Sequence, residues 1–322
     1  SRRQRQMCIR DSYICNGAEL DSLLALENHR WGNLYSGEAG ADMTSAIGNP
    51  LRKIIGDSKT VYYVPSGIFH KLAIEAIPIE GHRLGDNYSF YRLSSARELI
   101  ADNAARHSKS AQLYGGLTYG VDVKPLLRSL QEVTEISDML DGIMEQKTFV
   151  ADKGTKESFM QMNCNAPSII HLSTHGFYYS PTGQNLPSSL QGYNDAMSLS
   201  GLVMSGGSLS SRLGLLTAEE VAHCNLSNTD IACLASCHSG QGEVTSEGIY
   251  GLQRAFKKAG VKTVIMNLWE ASDVATQCFM TNFYWDLVNG SKDSRKAFQF
   301  ARDEVRKKYS SPFYWAGFLM ID

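Results

Sequence analysis

The sequence predicts an α/β protein, a mainly parallel sheet with helices on both faces, preceded by a smaller helical and α/β N-terminal region. Three observations carry this. From residue 111 onward, short apolar runs alternate with longer segments of helical periodicity. The strongest apolar runs, 231–235 and 315–321, are the length of buried strands. Gly and polar turn residues separate the two kinds of segment. Strands alternating with helices pair in parallel, and functional groups then belong at the carboxyl ends of strands.

Composition sets the limits. The chain has 322 residues, is 43% hydrophobic and 20% charged, and contains 8 Pro. That excludes disorder, collagen and coiled coil for the whole chain. No apolar stretch approaches the roughly 18–20 residues of a membrane helix. The formal charge of −2 gives no basic field for nucleic acid. The first twelve residues stand outside fold reasoning. Back-translated, residues 2–12 resemble a transposase sequencing adapter read through in frame, a processing scar rather than a targeting arm. Removing Arg2, Arg3, Arg5, Arg10 and Asp11, a net +3, takes the charge from −2 to −5. A metagenomic fragment is expected, with its upstream region missing. Without Cys8, six cysteines remain, with no Cys-x-x-Cys pair and no regular spacing. That suits a reduced, cytoplasmic protein better than a disulfide framework.

Each element follows in order. Residues 19–35 read as an amphipathic helix, then Gly37 to Gly40 as a break. A short helix is expected at 51–55, ending at Gly56. Residues 61–64, before Pro65-Ser66-Gly67, read as a buried strand. Residues 88–93 form a strand, and 94–105 a helix capped by Ser94 or Ser95. Segments 13–58 and 59–110 thus precede the alternating region at 111–322. There, strands are expected at 111–114, 148–150, 169–173, 231–235, 261–268 and 315–321. Helices are expected at 126–140, 156–162, 248–259, 275–288 and 296–308. Residues 180–213 break the rhythm with polar, turn-forming sequence and read as a mobile flap bordering the site, with Arg212 a candidate self-cleavage point.

Two strand ends hold the chemistry: His171-Leu172-Ser173-Thr174-His175-Gly176 and Leu234-Ala235-Ser236-Cys237-His238-Ser239-Gly240. His171 and His175 do not make a zinc pair, because four residues along a strand separate them by about 13 Å. No metal and no cofactor are expected. A Cys–His dyad fits instead, each residue delivered to the sheet edge by an apolar strand. His171 reads as structural. His238 points away from its neighbour on an extended end and reads as a pocket or surface residue.

These motifs resemble the CHAT domain, a caspase-like and separase-like family of cysteine peptidases often joined to tetratricopeptide repeats. Further matches are Val64-Pro65-Ser66-Gly67, Leu216-Thr217-Ala218-Glu219-Glu220, the segment from Glu247 to Phe256, Asn267-Leu268-Trp269 with Asp273 and Thr276, and the segment from Pro312 to Phe318. They run in the family's order from about residue 50 to the C-terminus. The resemblance implies a caspase-like fold and a cysteine endopeptidase acting on a protein partner, in bacterial regulated proteolysis or defence. Cys237 would be the nucleophile and His175 the acid–base. The N–H groups of Gly176 and Cys237 would form the oxyanion hole. An upstream tetratricopeptide-repeat region is an implied partner; nucleic acid and membrane are not.

Substrate recognition stays open. Trp269 through Asp273 resembles the separase pattern in which the Asp receives a basic side chain. Asp273 either does so here or caps the helix that follows. Trp269, His238 and Asp195 are further pocket candidates, with Glu270 weaker. Ala235 stands where metacaspases carry an Asp, so another acid serves or the preference is not basic. Glu247 reads as support for a helix start. The alternatives to a peptidase are a non-catalytic peptide-binding domain and a peptide ligase using the same dyad.

Overall fold

The computed structural model describes residues 31–100, 109–180, 186–236, 243–245, 248–270 and 272–322. Its frame is an eight-stranded sheet. In chain order the strands are β1 (Thr60–Tyr63), β4 (Ser89–Arg92), β5 (Ser110–Leu117), β6 (Glu145–Ala151), β7 (Ile169–Leu172), β11 (Ile231–Leu234), β14 (Thr263–Asn267) and β15 (Phe318–Ile321). Their spatial order is β1-β4-β15-β14-β11-β7-β5-β6. Every pair is parallel except β14 with β15. The last strand therefore turns back and joins β4 and β1 to the larger parallel block. Segment 59–110 and segment 111–322 share one sheet.

Strands β7, β11, β14 and β15 are buried at every position, which explains their mainly apolar sequence, broken by His171 in β7 and by Thr263 and Asn267 in β14. On one face lie α4 (Ser129–Leu140), α8 (Asp273–Asn289) and α9 (Ser294–Lys308). The α4 residues Val133, Ile136 and Leu140 repeat at helical spacing toward the sheet. Phe279 of α8 stacks on Phe318 of β15 at 3.9 Å and meets Phe298 of α9 at 5.3 Å. Each such ring contributes about 1.5–3 kcal/mol by leaving water. The other face carries α5 (Lys156–Met160), α6 (Ala218–Ala222) and α7 (Leu252–Lys258). There Phe159 and Phe256 meet edge-on at 6.3 Å.

Several expectations change. Gly37 to Gly40 is no break but opens helix α1 (Gly37–Met43). Gly40 is needed for packing, since a Cβ there would lie 3.1 Å from the Tyr35 backbone. Trp31–Tyr35 forms a 3₁₀ turn, while the rest of the expected helix at 19–35 lies outside the described residues. Asn49–Ile55 is helix α2. β1 is an edge strand with one face in solvent, not a buried one, and Tyr62 is exposed. Ser95 does accept the Arg97 amide, but only a 3₁₀ turn, Ala96–Leu99, follows within the described residues. Residues 248–250 form a strand paired with Glu243–Thr245, so α7 starts at Leu252. Gly317 ends a helical turn, Pro312–Trp315, before β15 begins.

The segment after β7 differs most. Residues 186–213 stay largely irregular, with the 3₁₀ turn Ser188–Leu190 and the strand Ser200–Val203 as their main regular elements, but that strand is part of a sheet. β8 (His175–Tyr178), β9 (Ser200–Val203) and β10 (Leu215–Thr217) form a separate antiparallel sheet. Phe177, Leu190, Leu199, Val203 and Leu215 give it a small core of its own. Gly201 sits at its centre, where a Cβ would lie 2.2 Å from the Leu216 carbonyl oxygen.

Candidate active site

A cleft opens at the carboxyl edge of the parallel strands. Ser173 and Thr174 reach it from β7, Ala235 and Ser236 from β11, and Asn267 from β14. Two helix starts close it. Arg128, Ser129 and Glu132 come from α4, and Asp273 and Thr276 from α8. His175 follows Thr174 directly, and Ser236 is the last described residue before Cys237. Cys237, His238 and Glu247 lie outside the described residues.

His175 is half-buried at the start of β8 and is held on two sides. Its Nε2 donates to the Lys124 carbonyl oxygen at 2.6 Å. A carbonyl only accepts, so Nε2 carries the hydrogen and Nδ1 keeps its lone pair. The Tyr119 ring meets the imidazole edge-on at 5.1 Å. Tyr119 is fixed by Thr174, with hydroxyl oxygens 2.8 Å apart, and Thr174 also donates to the Val203 carbonyl. Burial pushes the Tyr119 phenol up to about 12, so it stays neutral. Gly176 pairs with Leu202 on β9, while the Tyr179 amide donates to Leu199 three residues further along. Antiparallel alternation then turns the Gly176 N–H away from β9, leaving it available as a donor.

Two acids bracket the cleft. Asp273 is exposed and occupies the first turn of α8. Ser272 is the N-cap, and no side-chain capping bond is made there. Glu132 is only 2% exposed. Its Oε1 lies 2.9 Å from His171 Nε2, whose Nδ1 is 3.3 Å from the Tyr284 hydroxyl. Tyr284 in turn donates to the Cys233 sulfur at 3.5 Å. His171 is thus committed inside the core. Burial pushes the Cys233 thiol up to about 12, and burial raises Cys224 and Cys278 as well. None of these three thiols is a ready thiolate at neutral pH. Arg128, at the rim, donates to Gln277 Oε1 at 3.0 Å.

Three pocket candidates fall elsewhere. Trp269 is 2% exposed, donates to the Phe313 carbonyl at 2.9 Å and stacks on Tyr35. It is core, held there because Gly317 admits its ring. Asp195 does not line the cleft; its Oδ1 accepts the Ser198 amide in a local turn. Glu270 is exposed and also lies off the cleft. Conversely, Glu132, Tyr119 and the Lys124 carbonyl belong to the site but carry no motif of their own. Among the described residues, no group of three or more His, Cys, Asp or Glu is placed to hold a metal. Nor is any described helix long and apolar enough to cross a membrane.

Known proteins agree with this architecture. Over 88% of the chain the fold matches the Arg specific cysteine proteinase gingipain R, covering 69% of that chain at a TM-score of 0.56 and 9% identity. It also matches the separase of the Saccharomyces cerevisiae separase–securin complex over 81% of this chain and 15% of that one, at a TM-score of 0.53 and 14% identity. In sequence, tetratricopeptide repeat protein 28 of Mus musculus is 35% identical over 108 residues, and that of Homo sapiens 34%. Those stretches are 33% of this chain and 4% of either relative. The CHAT domain family model matches residues 37–322. With a caspase-type sheet, a histidine at its carboxyl edge and a family match that spans nearly all of the described structure, the chain belongs to the CHAT domain family.

Proposed function

We propose that this chain is a cysteine endopeptidase working through Cys237 and His175. One observation supports the pairing above the others. β7 and β11 are adjacent and parallel, and Leu172 is the ladder partner of Leu234. His175 lies three residues beyond Leu172, and Cys237 three beyond Leu234. The two residues therefore follow strand ends that leave the sheet at one level, about 4.8 Å apart.

The chemistry follows from the atoms. His175 Nδ1 takes the thiol proton of Cys237. The sulfur attacks the scissile carbonyl carbon, and the oxygen becomes an oxyanion facing the N–H groups of Gly176 and Cys237. The imidazolium returns its proton to the leaving amine as the C–N bond breaks. Water, deprotonated by the same nitrogen, then hydrolyses the thioester and releases the thiol. The Lys124 carbonyl holds the ring in one orientation throughout.

The cleft is the site for the side chain before the cut bond. Asp273 at its mouth and Glu132 at its floor favour Lys or Arg there. The Arg specific cysteine proteinase gingipain R, a protein of the same fold, supports that preference. A protein substrate, and a tetratricopeptide-repeat region as partner, are in keeping with the relatives' names. The test is a fluorogenic peptide library with all residue types before the cut bond. Wild-type protein is expected to cleave after Lys or Arg, and Cys237→Ala to cleave nothing. Cleavage by Cys237→Ala at the wild-type rate overturns the proposal.

A further inference from the structure

A larger cleft, about 1000 Å³ including its open mouth, lies between the N-terminal strands and α9 and shares no residue with the first. Four cations line it, Lys59, Arg83, Arg302 and Arg306, against three acids. The pairing among them is unequal. Asp86 takes Arg306 through both oxygens, at 2.5 and 3.1 Å. Arg83 donates to the carbonyls of Tyr35 and Ala76. Arg83 and Arg306 both lie over the Trp315 ring, at 5.7 and 5.1 Å from its centroid. Arg302 is left half-buried over Phe298, with no ion pair among the described residues. Gly85 lets Glu75 approach beside it, since a Cβ there would lie 2.9 Å from the Glu75 Cβ.

Three guanidiniums thus converge on Asp86, with Glu75 and Asp303 lining the rest of the cleft. Burial first, then the positive Arg306, lower Arg83 below its ordinary value, against the opposing pull of Asp86. We propose that this cleft binds a phosphate group carried by a small phosphorylated ligand. Guanidinium forks match pairs of phosphate oxygens, and the four cations leave one positive charge uncompensated by the three acids. Glu75 and Asp303, the remaining acids, accept hydrogen bonds. The rest of the ligand therefore carries donors such as hydroxyl or amino groups.

Calorimetric titration of the full chain at fixed ionic strength tests this with inorganic phosphate, glucose 6-phosphate and AMP. Saturable binding of at least one is expected. Arg302→Gln weakens it about tenfold and Lys59→Gln about threefold. Lys59 is exposed, so its variant reports on binding even if Arg302→Gln destabilises the fold. Lys307→Gln, whose ammonium pairs with Glu304 outside the cleft, binds like wild type. Equal affinity for inorganic phosphate and the two esters keeps the phosphate site and assigns it to the free anion. No saturable binding of any probe overturns the proposal, as does an equal loss in Lys307→Gln and Lys59→Gln.

Discussion

His175 is oriented by a backbone oxygen, the Lys124 carbonyl. Lys124 precedes Pro125, which disfavours helical backbone at that position and leaves its carbonyl outside the α4 hydrogen-bond ladder. No survey of side-chain types marks such a residue. The motif residues His175, Gly176 and Asp273 were legible because their spacing from strand ends is local. Glu132 was not, because it meets His171 across 39 residues of chain. Asp273 lines the cleft, while Ser272 takes the N-cap position. Asp273→Asn is expected to lower kcat/KM for an Arg substrate by roughly 30- to 100-fold and for a Leu substrate by much less. Glu132→Gln, which keeps a polar partner for His171, lowers the Arg value about tenfold. Equal losses on both substrates would make either residue a scaffold rather than a specificity group. His70 yields a separate prediction. Burial, then the positive Arg92, push its imidazole down to about 4, against about 6.5 in the unfolded chain. The unfolded state binds the extra proton between those values. Stability is therefore full above about pH 6.5 and falls as pH drops toward 4, by an amount of order 2 kcal/mol. Thermal melts of His70→Gln should show a shallower decline over that window; an unchanged slope assigns the acid sensitivity to other groups.

At the level of elements, the apolar strands, β4 and part of β6 were legible, and β8 to β10 were not. β7, β11 and β14 are buried on both faces, so composition alone marks them. β8 to β10 were hidden by Gly, Ser and Tyr, and their small core of five residues comes from separated positions. Gly248-Ile249-Tyr250, paired with Glu243–Thr245, reads in sequence as the start of a helix because it adjoins a genuine helical run. The three-stranded sheet matters because it begins with His175. Gly201→Ala drives a Cβ into the Leu216 carbonyl and to 2.8 Å from the Phe177 ring. A cost of about 3 kcal/mol follows, or a drop in Tm of roughly 6–12 °C. Hydrogen exchange should quicken at Phe177 and Leu202 before the eight-stranded sheet responds. An unchanged Tm would mean that the sheet yields at this point without loss.

For the whole molecule, the alternation of strand and helix predicted the parallel sheet and both helical layers. It did not predict that β15 runs antiparallel and carries β4 and β1 into the same sheet. Strand direction at the C-terminus depends on a turn at Gly317 that admits Trp269, a contact between distant residues. That arrangement gathers five strand and helix ends at one edge, where the cleft lies. The central claim is that this edge presents a reactive Cys237 governed by His175. The direct measurement is intact mass after incubation with an arginyl chloromethyl ketone, in which the thiolate displaces chloride. A single adduct mapping to Cys237 is expected, absent in Cys237→Ala and formed at least about a hundredfold more slowly in His175→Ala. Labelling that is equally fast in His175→Ala, or that maps to a different cysteine, would contradict the account.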